Sequence, residues 1–190
     1  MKLCVIPARG GSKRIPKKNI KMFCGKPIIQ WSIEAALESN CFDRVIVSTD
    51  SEEISIISKA LGAEVPFVRP SNLSDDFTAT APVINHAIQY MSQNFQSVEL
   101  ACCIYATAPF IEPTYIREGL TTLLEKNVNF SFSVTSYPYP IQRAIMLKDD
   151  KKSKMFFPEN FNKRSQDLKI SFHDAGQFYW GKASSWFENK

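Results

Sequence analysis

The sequence predicts an α/β fold: a mostly parallel, twisted sheet with helices on both faces. Short β-branched or apolar runs alternate with amphipathic segments along most of the chain, the pattern of strands laid side by side through helical crossovers. The strand-like runs end in loops rich in Gly, Ser, Thr or Pro, such as those after Ala8, Ser48 and Tyr105. In open sheets of this kind, ligands bind at the carboxyl ends of the strands. At 190 residues the chain is long enough for one such domain with room for a small insertion.

Residues 3–8 form a short apolar run and read as a buried strand. Residues 27–38 carry Ile29, Ile33, Ala36 and Leu37 at helical spacing, with Pro at the start. Residues 44–48 are a β-branched strand, and 51–61 repeat the helical spacing through Ile54, Ile57 and Leu61. Residues 64–68 read as a third strand. The clearest helix is 82–95, where Ile84, Ala87, Ile88, Met91 and Phe95 share a face. Residues 100–105 give a further strand, Ile116, Leu120, Leu123 and Leu124 a helix, and 129–135 another strand. Residues 136–168 break the rhythm with Pro138, Pro140, Pro158 and Lys/Asp clusters. They read as an inserted arm within a single domain spanning 1–190. Alternation resumes at Ile170.

Composition excludes several classes. Apolar content of 44% and charged content of 22% are those of an ordinary globular protein. No run of about 18 apolar residues exists, so no membrane-spanning helix is expected. The opening residues run into a loop too soon for a signal peptide. The net charge of +4 does not call for nucleic acid, but suits a polyanionic small molecule if gathered at one place. Five scattered cysteines with no C-x-x-C pair read as free thiols in a reducing cytoplasm. His86 and His173 are too far apart to seed a zinc site; His86 reads as a packing or surface residue.

The segment from Pro7 to Asn19 concentrates the chemistry. Gly10 and Gly11 let a ligand approach the backbone, and Arg9, Lys13, Arg14, Lys17 and Lys18 supply positive charge. A triphosphate needs both. The segment is neither a Walker loop nor a G-x-G-x-x-G fingerprint. Asp50, at the end of a strand and followed by Ser51 and Glu53, reads equally well as a ligand-side carboxylate or as a helix cap. Phe178, Tyr179 and Trp180 alternate along a strand and place at least one ring in the core.

This loop, together with Ser48-Thr49-Asp50, Arg69-Pro70, Leu73-Ser74-Asp75-Asp76 with Thr78 and Thr80, and Ala106-Thr107-Ala108-Pro109, resembles the cytidylyltransferases that make CMP-activated sialic acids and related sugars. The resemblance runs from Lys2 to about Ser184. Arg164-Ser165-Gln166-Asp167-Leu168 and the stretch from His173 to Gly181 resemble the pseudaminic acid branch, since His173 and Ala175 stand where sialic acid enzymes tend to carry Arg and Asn.

The resemblance implies a nucleotide-diphospho-sugar transferase-like fold and transfer of CMP from CTP to a nine-carbon acidic sugar. It implies that Ala8, Arg9, Gly10, Gly11, Ser12, Lys13, Lys18 and Asn19 contact phosphates and cytidine, with Arg9 and Lys13 as the catalytic cations. Arg69, Thr78 and Thr80 are then expected near ribose and base. Tyr105, Arg164, Gln166, His173, Gln177 and Tyr179 are expected to line the sugar pocket. Mg²⁺ is the expected cofactor. The family's acidic pair, of D-x-D type, lies on a strand towards the C-terminus. The sequence reaches Lys190 without it, and neither Asp50 nor Asp174 matches it. No metal ligand is therefore carried over, and such a chain is expected to bind CTP but turn over poorly. The arm at 136–168 resembles a dimerisation arm and implies a homodimer. N-acylneuraminate or KDO transfer, and a non-catalytic nucleotide-binding module, stay open as alternatives.

Overall fold

The structure, a computed structural model, describes residues 1–188. In chain order the elements are β1 (Lys2–Pro7), β2 (Met22–Phe23), β3 (Lys26–Pro27), α1 (Ile28–Ser39), β4 (Arg44–Ser48), α2 (Glu52–Ala60) and α3 (Thr80–Asn94). There follow β5 (Leu100–Ile104), α4 (Pro113–Glu125), β6 (Phe130–Ser136), β7 (Ile145–Leu147), β8 (Ser153–Met155), β9 (Phe172–Lys182) and α5 (Ala183–Glu188).

The main sheet has the order β4-β1-β5-β9-β6. β1 is parallel to β4 and β5, with Val5 opposite both Ile46 and Cys103. β9 runs antiparallel to β5, with Cys102 opposite Trp180. The period of two along β1 then decides the packing. Cys4 and Ile6 face one core with Ile29 and Ile33 of α1 and Ile116 and Leu123 of α4. Leu3 and Val5 face the other with Ile84, Ala87, Ile88 and Met91 of α3 and Trp186 of α5. Each fully buried Ile or Leu of this kind contributes roughly 1.5–3 kcal/mol. Close packing of α4 on β9 requires Gly119, where a Cβ would lie 2.6 Å from the Phe178 ring.

The expected strand at 64–68 is not a strand. Glu64 and Val68 make isolated parallel bridges to Ile46 and Thr49. Pro66 between them has no N–H to give a continuous ladder. The short β2–β3 hairpin and α5 were not anticipated.

The chain divides into two compact units, Met1–Ser133 with the chain from Gly176 onward, and Val134–Ala175. The second holds the β7–β8 hairpin, in which Ile145 pairs with Met155. Within it the Tyr137 N–H donates to the Ser171 carbonyl at 3.2 Å, and the Gln142 amide donates to the Lys169 carbonyl at 3.0 Å. Among the described residues no helix is long and apolar enough to cross a membrane. The five cysteines carry free thiols; four are buried and Cys24 is exposed.

Candidate active site

The parallel strands β1, β4 and β5 all end at one rim of the sheet, and a cleft of about 330 Å³ opens there. That volume lies at the lower end for small-molecule sites. Its walls are Arg9, Ser12, Lys18 and Asn19 from the loop after β1, Arg69, Thr78 and Thr80 leading into α3, and Tyr105, Ala106 and Thr107 after β5.

The loop after β1 is held from several sides. The Ala8 N–H donates to the Ser48 carbonyl at 2.9 Å. The Asp50 carboxylate accepts from the Gly10 N–H at 2.8 Å. Asn19, almost fully buried, donates its side-chain amide to the Arg9 carbonyl at 2.9 Å. Lys17 adopts a left-handed φ of 52° and reaches Glu53 at 2.8 Å. A Cβ at Gly10 would lie 3.0 Å from Ser51 Cβ, so a side chain there would crowd the start of α2. The cap of α2 is Ser51, whose Oγ accepts from the Ile54 N–H. Asp50 therefore acts on the loop instead of capping the helix.

Arg69 is 4% exposed, and its guanidinium donates to the Ser48 carbonyl and, at 3.0 Å, to Ser48 Oγ. Burial pulls its pKa down to about 10; Asp50 opposes the shift and Arg9 adds to it. Part of its donor fork is thus committed to the end of β4, while its charge stays at the cleft. Arg9 and Lys13 both pair with the Asp76 carboxylate, Arg9 at 2.7 Å, and Arg9 also donates to the Asp75 carbonyl. Lys13 and Arg9 hold the Asp76 carboxyl below the usual carboxylate range. Hydrogen bonds from Thr78, and then from the Phe77 N–H, do the same for Asp75. Lys18 lines the cleft with no ion pair among the described residues.

The structure brings Arg9, Ser12, Lys18, Asn19, Arg69, Thr78 and Thr80 to one cleft. Ala8 instead lies fully buried in the core. The Gly10 amide is taken by Asp50, and Gly11 and Lys13 lie outside the cleft lining, Lys13 with its side chain 82% exposed. Tyr105, expected with the sugar residues, lines this same cleft, its hydroxyl 3.1 Å from Thr80 Oγ1. Its ring meets Tyr179 at 5.4 Å, and its N–H donates to the Gln177 carbonyl at 2.9 Å. In the second unit, Arg164 forms a two-pronged pair with Asp167, Gln166 is exposed, and His173 packs against Tyr137 at 4.8 Å. His86 packs edge-on against Phe67 at 4.7 Å, and burial followed by the nearby Arg69 charge lowers its pKa.

The residues that sequence reasoning left without a role are Asp75, Asp76 and Thr107. The two carboxylates stood in a segment that carried the resemblance, but nothing local names partners 63 to 67 positions away. No group of three or more His, Cys, Asp or Glu side chains among the described residues could hold a metal ion.

A cleft edged by cations and hydroxyls, with an aromatic wall, suits a nucleoside polyphosphate. The family described as Cytidylyltransferase matches residues 3–176. The chain belongs to the cytidylyltransferase family. This cytidylyltransferase is 45% identical over 186 residues to a Pseudaminic acid cytidylyltransferase of Campylobacter jejuni, covering 98% of this chain and 80% of the relative. It is 34% identical to a CMP-N,N'-diacetyllegionaminic acid synthase of Legionella pneumophila, over 99% of this chain and 81% of that one. Its fold is that of a CMP:2-keto-3-deoxy-manno-octonic acid synthetase solved with CTP, at a TM-score of 0.72 and 18% identity, covering 99% of this chain and 76% of that one. The family places its activity among nucleotidyl transfers.

Proposed function

We propose that this cytidylyltransferase transfers CMP from CTP to the anomeric hydroxyl of a nine-carbon acidic sugar, pseudaminic acid in preference to others, and releases pyrophosphate. The observation that carries the substrate choice is the 45% identity, along 98% of the chain, to a protein named for pseudaminic acid. In the reaction the anomeric oxygen attacks the α-phosphorus and the bond to the bridging oxygen breaks. No protein nucleophile is needed. Arg9, Lys18 and the buried charge of Arg69 offset the charge of the phosphates, in a site whose donors are already oriented. Thr78, Thr80 and Tyr105 form the wall on which ribose and base lie. Mg²⁺ is proposed to arrive with the triphosphate; its chemistry there is to neutralise phosphate oxygens. N-acylneuraminate is the second reading, supported by a relative of that name from Danio rerio at 35% identity.

Pyrophosphate release separates these readings. With CTP, turnover is expected to be fastest on pseudaminic acid, slower on N-acylneuraminic acid and KDO, and absent with ATP, GTP or UTP. Equal turnover of ATP rejects the nucleotide assignment; faster turnover of N-acylneuraminic acid rejects the sugar.

We also propose a cytoplasmic homodimer. The second unit exposes Ile145, Leu147 and Phe156 at 57%, 73% and 56%, much apolar surface for a segment of its size. Light scattering at tens of micromolar (roughly the range where stable dimers persist) is expected to give twice the chain mass. The monomer mass at that concentration rejects the dimer.

A further inference from the structure

Two cations of the loop after β1, Arg9 and Lys13, are both occupied by one carboxylate of the same chain. Asp76 Oδ1 lies 2.7 Å from Arg9, and Asp76 Oδ2 pairs with Lys13. The Asp75 carbonyl also accepts from Arg9. One carboxylate bridging two cations through separate oxygens is the contact that a phosphate group makes. The segment that carries it is a compact turn. Asp75 Oδ1 accepts from the Phe77 N–H at 2.9 Å and the Thr78 N–H at 2.6 Å, and Thr78 Oγ1 donates to it at 2.7 Å. Phe77, between the two, is 94% exposed. The turn is tied internally, but its hold on the loop runs through Asp76 and Arg9. Thr78, at its far end, lines the cleft.

We propose that Asp76 is a positioning residue that stands in for a phosphate in the nucleotide-free protein, holding Arg9 and Lys13 in place until an incoming polyphosphate displaces it. This rests on the reading of the cleft as a triphosphate site. The exchange is one of partners only: two charge-assisted pairs to a carboxylate break and pairs to phosphate oxygens form. The displaced turn carries Phe77 and Thr78 with it, so occupation of the phosphate site is transmitted to the wall beside the ribose and base. The cost is competition, because the fraction of protein with free cations limits apparent affinity.

The test uses inorganic triphosphate as well as CTP, titrated by calorimetry into the full chain. Asp76→Asn keeps the shape and removes the competing charge. It is expected to tighten triphosphate binding about two- to fivefold, the range for exposed pairs. Glu53→Gln, which removes an equal charge from the same loop's Lys17 pair, is expected to leave it nearly unchanged. Unchanged or weaker binding by Asp76→Asn, or equal tightening by Glu53→Gln, overturns the proposal. Phe77→Trp gives a second readout that does not depend on the Asn variant. Triphosphate is expected to shift its emission in the otherwise native chain, and a silent reporter at saturation counts against displacement. If CTP binds no better than ATP, the functional reading fails while the triphosphate arm still judges Asp76.

Discussion

Replacing Arg9 by alanine is expected to lower kcat/KM for CTP roughly tenfold to a hundredfold, a loss of about 1–3 kcal/mol from one charge-assisted contact. Arg9 lines the cleft, with its side chain 29% exposed, and its backbone carbonyl is fixed by Asn19. A guanidinium held there meets phosphate in a geometry that costs little to assemble. Lys13 differs. Its side chain is 82% exposed and it lies outside the cleft lining, so solvent screens its charge and Lys13→Ala is expected to lose less than Arg9→Ala. Steady-state kinetics on both variants, with CTP varied, decides the order. If Arg9→Ala keeps wild-type kcat/KM, the loop after β1 is not the phosphate cradle, whatever Lys13 does.

The parts of this site that were legible in the sequence are those written in short-range pattern. The loop from Pro7 to Asn19 announces itself by two glycines and five cations directly after a strand. The alternation at 178–180 calls for at least one ring in the core, and the fold buries two, Phe178 and Trp180, while Tyr179 meets Tyr105. What was not legible depends on long-range pairing. β9 inserts antiparallel between β5 and β6, and no local period specifies that order. Asp50 looked equally like a cap or a ligand-side carboxylate. Only the fold shows that Ser51 takes the cap while Asp50 takes the Gly10 N–H 40 positions away. Residues 64–68 look like a strand by composition, yet Pro66 removes the donor that a ladder requires. The pairing of Asp76 with Arg9 and Lys13 lies beyond any periodicity. Charge pattern predicts that cations will find anions, but not which ones.

The largest effect on stability is expected from Trp180→Ala. Trp180 is 0% exposed and sits on β9 where that strand meets β5. Its ring stacks on Phe42 at a centroid distance of 4.8 Å and an interplanar angle of 16°. Its Nε1 donates to the Ile116 carbonyl of α4 at 2.9 Å. One side chain therefore joins the sheet, α4 and the segment after α1. Deleting it leaves a large void between elements that backbone pairing holds apart, and such changes cost about 3–5 kcal/mol. Against a typical total of about 5–15 kcal/mol, that is enough to lower the urea midpoint sharply. Trp180→Phe keeps the stacked ring and loses the indole N–H, so it is expected to fall between the wild type and the alanine variant. The damage is also expected to reach the cleft. β9 holds the wall through Gln177, whose carbonyl accepts from the Tyr105 N–H at 2.9 Å, and Tyr105 in turn meets Thr80. Trp180→Ala should therefore weaken CTP binding even at temperatures where the chain is still folded by circular dichroism. A urea midpoint equal to that of the wild type would show that the stack and the Ile116 hydrogen bond do not hold β9 to α4.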